Sequence, residues 1–206
     1  MSANNRPDNK GKILLQLARS SIAEVLGGTD EFRENIPQDV DWWQEKGACF
    51  ITLMQGDQLR GCVGSLEAHR SLLDDVKANA KAAAFKDTRF SPLTSDELDI
   101  TQVEISLLSA MQALDFEDEQ DALSQLRPGI DGVVFEYYHQ RSTFLPQVWQ
   151  QLPASRDFML HLKQKAGLPA DFWADGVRLS RYTVSKWKES DFDSLVDVKS
   201  GSVSEV

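Results

Sequence analysis

The sequence predicts an α+β fold, a mixed and largely antiparallel sheet layered with helices. Three observations carry that expectation. Residues 49–64 form two β-rich runs about a Gly56-Asp57 turn, 3.6-residue periodicity flanks that hairpin on both sides, and strand-type patterns return at 101–109, 133–145 and 177–187. Hairpins interspersed with helices in mixed order fit α+β better than a regular βαβ repeat.

Residues 1–10 are polar and read as a tail, with a single domain expected over 11–188 and a second, acidic tail over 189–206. Ile13, Leu14, Leu17, Ser21, Ile22, Val25 and Leu26 recur at helical spacing, and Gly27-Gly28 closes that helix. In the hairpin, a two-residue turn sets Gln55 opposite Gln58 and predicts the pairs Leu53/Arg60, Ile51/Cys62 and Cys49/Gly64. One face would then carry Cys49, Ile51, Leu53, Arg60 and Cys62, and the other Phe50, Thr52, Met54, Leu59, Gly61 and Val63. Both faces are apolar, so cover is expected on each.

Ser71 with Asp74 resembles a capping box and opens a helix through Val76, Ala80, Ala83 and Ala84, whose small side chains make a flat face able to lie close to the sheet. Residues 87–93 are a breaker-rich loop. Val103, Ile105 and Leu107 alternate with Gln102, Glu104 and Ser106 as a half-buried strand. A short helix is expected at 121–126, a strand at 133–137, a turn at His139-Gln140, and a return strand at 141–145 stopped by Pro146. A helix over 157–166 ends at Gly167-Leu168-Pro169, and 177–187 reads as one last strand.

The composition, 206 residues with 41% hydrophobic and 26% charged, fits a globular protein. Two cysteines argue against a disulfide framework and for a reducing compartment. The polar N-terminus has no signal-peptide core and no apolar run reaches membrane-spanning length, so a cytoplasmic protein is expected. A net charge of −10 disfavours nucleic acid and anionic membranes as partners.

The segment Leu59-Arg60-Gly61-Cys62-Val63-Gly64 sets a charge and a thiol between glycines in a hairpin that otherwise reads as buried. Glycine in a strand marks a bulge or the close approach of a ligand or backbone. An Arg there needs a partner. Two readings are open: Arg60 activates Cys62 as a nucleophile, redox group or soft-metal ligand, or Cys62 packs as a small hydrophobe and Arg60 is held by a carboxylate. Cys49 would lie diagonally across from Cys62, roughly 7–8 Å away and too far for a relaxed disulfide. His69, His139 and His161 lack ligand spacing, so no metal site is expected. His161 is expected on a helix surface and His139 in a solvated turn. Asp74-Asp75 is explained by the positive end of its helix. No phosphate loop, dinucleotide fingerprint or Gly-x-Ser-x-Gly elbow is present, and no cofactor is assigned.

These residues resemble the AMMECR family (AmmeMemoRadiSam system protein A). Leu59-Arg60-Gly61-Cys62-Val63-Gly64-Ser65 is similar to its signature, with Val63 where Ile is usual. The stretch 82–93 resembles its Ala-rich helix followed by Asp-Pro-Arg-Phe, here with Thr88 for Pro. Glu104-Ile105-Ser106-Leu107-Leu108-Ser109, Asp131-Gly132-Val133, residues 143–148 and residues 165–169 are similar to later blocks, with Ser142 where Gly is expected. The resemblance covers residues 11–187 and implies an α+β protein of two closely packed subdomains, associated with a Memo-type and a radical SAM companion. It implies no particular reaction. On one reading the chain is an enzyme or enzyme subunit that binds a small molecule, with Cys62 reacting, Arg60 orienting an anion, and Gly61, Gly64, Arg89, Arg141 and Glu104 contributing to binding. On the other it is an adapter anchored by exposed Trp42, Trp43, Trp149 and Trp173. A buried Cys62 with Arg60 paired to Glu104 would favour the adapter, and a thiol at the base of an open cleft the enzyme.

Overall fold

A computed structural model describes residues 9–28 and 41–193. Their α+β architecture divides into two compact units, one running to Leu107 and resuming at Lys186, the other spanning Leu108–Ser185.

The first unit opens with helix α1 (Asn9–Val25), which buries Leu14, Leu17, Ala18 and Ile22 on one stripe as its periodicity requires. The helix starts inside the segment read as the N-terminal tail. It stops where Gly27 turns left-handed (φ 76°) and the Gly28 N–H returns to the Ala23 carbonyl at 3.1 Å. A short 3-10 helix at Asp41–Trp43 precedes β1 (Lys46–Gly47), β2 (Cys49–Gln55), β3 (Gln58–Gly64) and β4 (Arg70–Ser71). Strand β4 pairs with β1 and leads straight into helix α2 (Leu72–Phe85). The expected cap is in place: Ser71 Oγ accepts the Asp74 N–H at 3.2 Å. Helix α3 (Ser95–Leu98), strand β5 (Gln102–Leu108) up to Leu107, strand β10 (Val184–Lys188) from Lys186 and helix α6 (Ser190–Asp193) complete the unit. The sheet order is β10-β5-β2-β3. Helices α1 and α2 cover one face of this sheet through a core that includes Leu14, Ile22, Ile51, Leu53, Val76, Ala80, Val103 and Ile105, all fully buried.

The second unit contains β6 (Gln112–Ala113), α4 (Glu119–Gln125), β7 (Gly132–Tyr137), β8 (Gln140–Phe144), α5 (Ser155–Lys165) and β9 (Arg178–Tyr182), with sheet order β6-β9-β7-β8. Its core is aromatic: Trp149 stacks on Phe158 with centroids 3.8 Å apart, and its Nε1–H donates to the Asp131 carbonyl at 2.6 Å. On α5, Lys163 is buried beside the Trp173 ring and compensated by Glu119 at 2.7 Å.

Two boundaries differ from expectation. The single strand read over 177–187 is two strands in two different sheets, broken at Thr183, whose N–H is taken by Ser109 Oγ at 2.9 Å and whose carbonyl accepts the Ser109 N–H at 2.9 Å. Residues 189–193, read as the start of the C-terminal tail, are structured: Arg19 Nε donates to Glu189 Oε1 at 2.5 Å, and Ser190–Asp193 form a helical turn. The remainder of both expected tails lies outside the described residues. Among the described residues no helix is long and apolar enough to cross a membrane.

Candidate functional site

The Arg60-Gly61-Cys62 segment sits on a β-bulge. Gln55 faces Gln58 and Met54 faces Leu59, consistent with the turn, but the register then slips and the pairs become Leu53/Gly61, Thr52/Cys62, Ile51/Val63 and Phe50/Gly64. Arg60 is the extra residue. The expected pairs Leu53/Arg60, Ile51/Cys62 and Cys49/Gly64 are therefore replaced, and Cys62 lies on the face opposite Cys49. The physical reason is visible at Gly61, where a Cβ would stand 2.2 Å from the Ala83 carbonyl oxygen. The alanine face of α2 does lie close to the sheet, as expected, and it meets the one strand residue without a side chain. A Cβ at Gly64 would likewise meet the Phe50 ring at 2.3 Å. Without the bulge, the Arg60 side chain would be driven under α2.

The bulge delivers Arg60 to Glu97 and not to Glu104. Nε and Nη2 donate to the two Glu97 oxygens at 2.9 and 3.0 Å, a fork that leaves 12% of the Arg60 side chain exposed. Nη1 is buried with no hydrogen-bond partner among the described residues. Hydrogen bonding from Arg60, helped by the Thr94 N–H that closes the α3 capping box, holds Glu97 down to about 2. Gln55 Nε2 bridges Glu97 and Thr101, so the pair belongs to a wider polar network.

Cys62 is partly exposed and looks across the sheet. Thr52 Oγ1 donates to its Sγ at 3.5 Å, and Thr52 also faces Glu104 on β5, so Cys62, Thr52 and Glu104 form one cross-strand row. Strand spacing puts the thiol and the Glu104 carboxylate roughly 10 Å apart. Glu104 is buried and gripped by Lys186 and Lys188 of β10 at 2.5 and 3.0 Å. Burial alone would raise this carboxyl, but the hydrogen bonds from the two lysines outweigh it and hold the value below the ordinary one. On the other side of the motif, the 87–93 loop clamps the backbone of Cys62. Its N–H donates to Asp87 Oδ2 at 2.9 Å and its carbonyl accepts from Arg89 Nη2 at 3.3 Å. Arg89 closes onto Asp87 at 2.7 Å, and this bond, followed by that from the Cys62 N–H, holds the Asp87 carboxyl well below the usual range. Thr88 does not prevent the turn, which closes through the Phe90 N–H to the Asp87 carbonyl at 3.0 Å.

Sequence reasoning missed the polar centre behind the motif. Asp75, fully buried, accepts from the Cys49 N–H, Ser65 Oγ, Arg70 Nε and Asn79 Nδ2, so it is a structural hub and not merely a helix-dipole carboxylate. Asn79 also donates to the Cys49 carbonyl at 3.0 Å. Burial pushes the Cys49 thiol far up, so this cysteine is an inert core residue. A signal was available, because Asp75 and Asn79 fall in phase with Leu72, Val76, Ala80 and Ala83 on the stripe that faces the sheet.

The AMMECR1 family profile matches residues 15–187, a span that takes in the bulge, the clamp and the row. The chain belongs to the AMMECR1 family. It is similar to protein MJ0810 of Methanocaldococcus jannaschii, 33% identical over 87% of this chain and 90% of that one. It is also similar to a protein of Methanothermobacter thermautotrophicus, 34% identical over 88% of this chain and 95% of the relative. The crystal structure of the uncharacterized protein PH0010 from Pyrococcus horikoshii superposes with a TM-score of 0.71 at 28% identity, covering 89% and 93% of the two chains, and has the same fold.

The remaining candidates of this AMMECR1-family chain lie on other elements. Arg141 lies in the second unit on β8, paired with Glu136 at 3.2 Å. Ser142 beside it is buried and donates to the Leu162 carbonyl at 2.6 Å. The aromatic anchors expected at the surface are not there: Trp43 and Trp149 are buried in the two cores, and Trp42 and Trp173 are half-buried against them. His161 and His139 are exposed, on a helix and in a turn respectively. Among the described residues, no three His, Cys, Asp or Glu side chains gather as a metal site.

Proposed function

We propose that this AMMECR1-family chain is a small-molecule-binding enzyme or enzyme subunit whose reacting group is the Cys62 thiol. The observation that carries this reading is the contrast between the two cysteines. Cys49 is sealed under α2, whereas Cys62 is partly exposed on the opposite face, with a hydroxyl on its sulfur and a guanidinium at its backbone. The anion-orienting role falls to Arg89, which pairs with Asp87 but keeps 55% of its side chain exposed, whereas Arg60 is forked on Glu97 with 12% exposed and acts as a positioning residue for the bulge. The companions implied by the family resemblance, a Memo-type and a radical SAM protein, are proposed as its partners, to be checked by co-purification after co-expression.

The test is alkylation of Cys62 in the folded protein with a small neutral reagent, in a Cys49→Ala background. Labelling of the native state at a rate near that of a free thiol supports the reading, and loss of that rate in Arg89→Ala would tie the site to the loop clamp. Labelling only at the rate of unfolding overturns it, leaves Cys62 as a packing residue, and favours the non-catalytic adapter.

A further inference from the structure

We infer that the first unit carries a second ligand site, distant in the chain from the Cys62 motif, for a small zwitterion with an apolar body of the free apolar amino-acid class. The cavity has a volume of about 340 Å³, within the range of small-molecule pockets. It is lined by successive turns of α1, by the segment entering β5, and by Glu189 with Phe192 of α6.

Its walls are already built. Arg19 donates to Glu189, to the Leu98 carbonyl at 3.1 Å and to the Thr101 carbonyl, while Glu189 Oε2 takes the Val103 N–H at 2.7 Å. The charges of Arg19 and Glu189 are thus satisfied within the protein and pin α1 to β5 and α6. The apolar part of the lining is Leu15, which is buried, and Phe192, packed on the same core. Two further lining residues carry charge: Lys12 on α1 and Asp99 at the end of α3 are both exposed, and among the described residues neither side chain makes an ion pair or hydrogen bond. A simple anion drawn to Lys12 would be repelled by Asp99, and a simple cation the reverse. A molecule bearing a carboxylate and an ammonium on one end and an apolar group on the other satisfies both charges and the apolar lining together. Gln16 and Gln102 also line the cavity and add amide groups to its polar lining.

The test is titration of the isotope-labelled full chain with millimolar L-leucine or L-phenylalanine, followed by NMR, with hydrocinnamate and phenethylamine as one-charge controls. Saturable shifts in α1 and Gln102 with the amino acids, and much weaker ones with either control, are expected. The Gln55 amide should respond too, because it hydrogen-bonds Thr101 in the cavity wall. Lys12→Glu and Asp99→Lys should each weaken binding at least about fivefold, the order expected when an attractive charge contact becomes repulsive. The double reversal should recover part of the affinity, because a zwitterion can bind with its charged groups exchanged. Absence of saturable shifts, or binding of hydrocinnamate equal to that of phenylalanine and unaffected by Lys12→Glu, overturns the proposal. Cys62 takes no part in this readout, so the result is independent of the thiol reading.

Discussion

Asp75→Ala leaves four donors converging on an emptied position: the Cys49 N–H at 2.8 Å, Ser65 Oγ at 2.7 Å, Arg70 Nε at 2.7 Å and Asn79 Nδ2 at 3.0 Å. The Cys49 and Asn79 donors are buried, and each unsatisfied buried donor costs about 1–3 kcal/mol. Arg70 is 32% exposed along its side chain, so water offsets part of the loss of its carboxylate. The expected destabilisation is roughly 3–5 kcal/mol, the range for breaking a buried pair. Cys49 itself reports the result, since in a Cys62→Ser background it is the sole thiol and is fully buried, so it is labelled only through opening of the first unit. A loss of about 4 kcal/mol raises that labelling rate on the order of a thousandfold, and the urea midpoint should fall in step. An increase below about tenfold with an unchanged midpoint would refute the reasoning, because it would mean that the four donors find other partners at little cost.

Gly61→Ala should destabilise the first unit by about 1–3 kcal/mol or more, because the new methyl meets the Ala83 backbone carbonyl, which cannot turn aside as a side chain would. A thermal melt indistinguishable from wild type would show that α2 can move away. Glu97→Gln tests the Arg60 fork by pH. The folded Glu97 value of about 2 lies below its ordinary 4.5 because Arg60 hydrogen-bonds the carboxylate, so the fork stabilises the fold fully above the unfolded value and loses this contribution as pH falls toward the folded one. Wild type should therefore be more stable than Glu97→Gln at neutral pH, with the difference closing between about pH 4.5 and about pH 2. Denaturant unfolding of both proteins across that interval measures it, and a difference that stays constant would exclude Glu97 as the titrating group.

The legible part of the fold was local. The stripe of α1 with its glycine stop, the Ser71 cap of α2, the Gly56-Asp57 turn and the end of α5 at Gly167 each depend on neighbours a few residues away, and each forms as its residues predict. The candidate site was legible as a place: glycines in a strand flagged close approach, and Gly61 does touch a helix backbone. Its chemistry was less legible. Arg60 needs a carboxylate, for which the sequence offers Glu104 among others, yet its partner is Glu97, contributed by a four-residue helix whose placement against β3 no spacing rule conveys.

Composition, periodicity and turn chemistry by themselves determined the class of fold, the type of the longer elements and the unusual character of residues 59–64, because these properties reside in the local backbone and in the side chain of each residue. Tertiary structure alone decided which face Cys62 occupies, since one extra residue in a bulge exchanges the two sides of a strand without altering its propensity. It decided likewise that the chain over 177–187 changes sheets at Thr183, that Trp43 and Trp149 fill cores, and that Asp75 gathers four donors. Each of these follows from contacts between segments far apart in sequence, where the cost of an unpaired charge, an unmet N–H or a clashing Cβ selects one arrangement among several that the local sequence permits equally well.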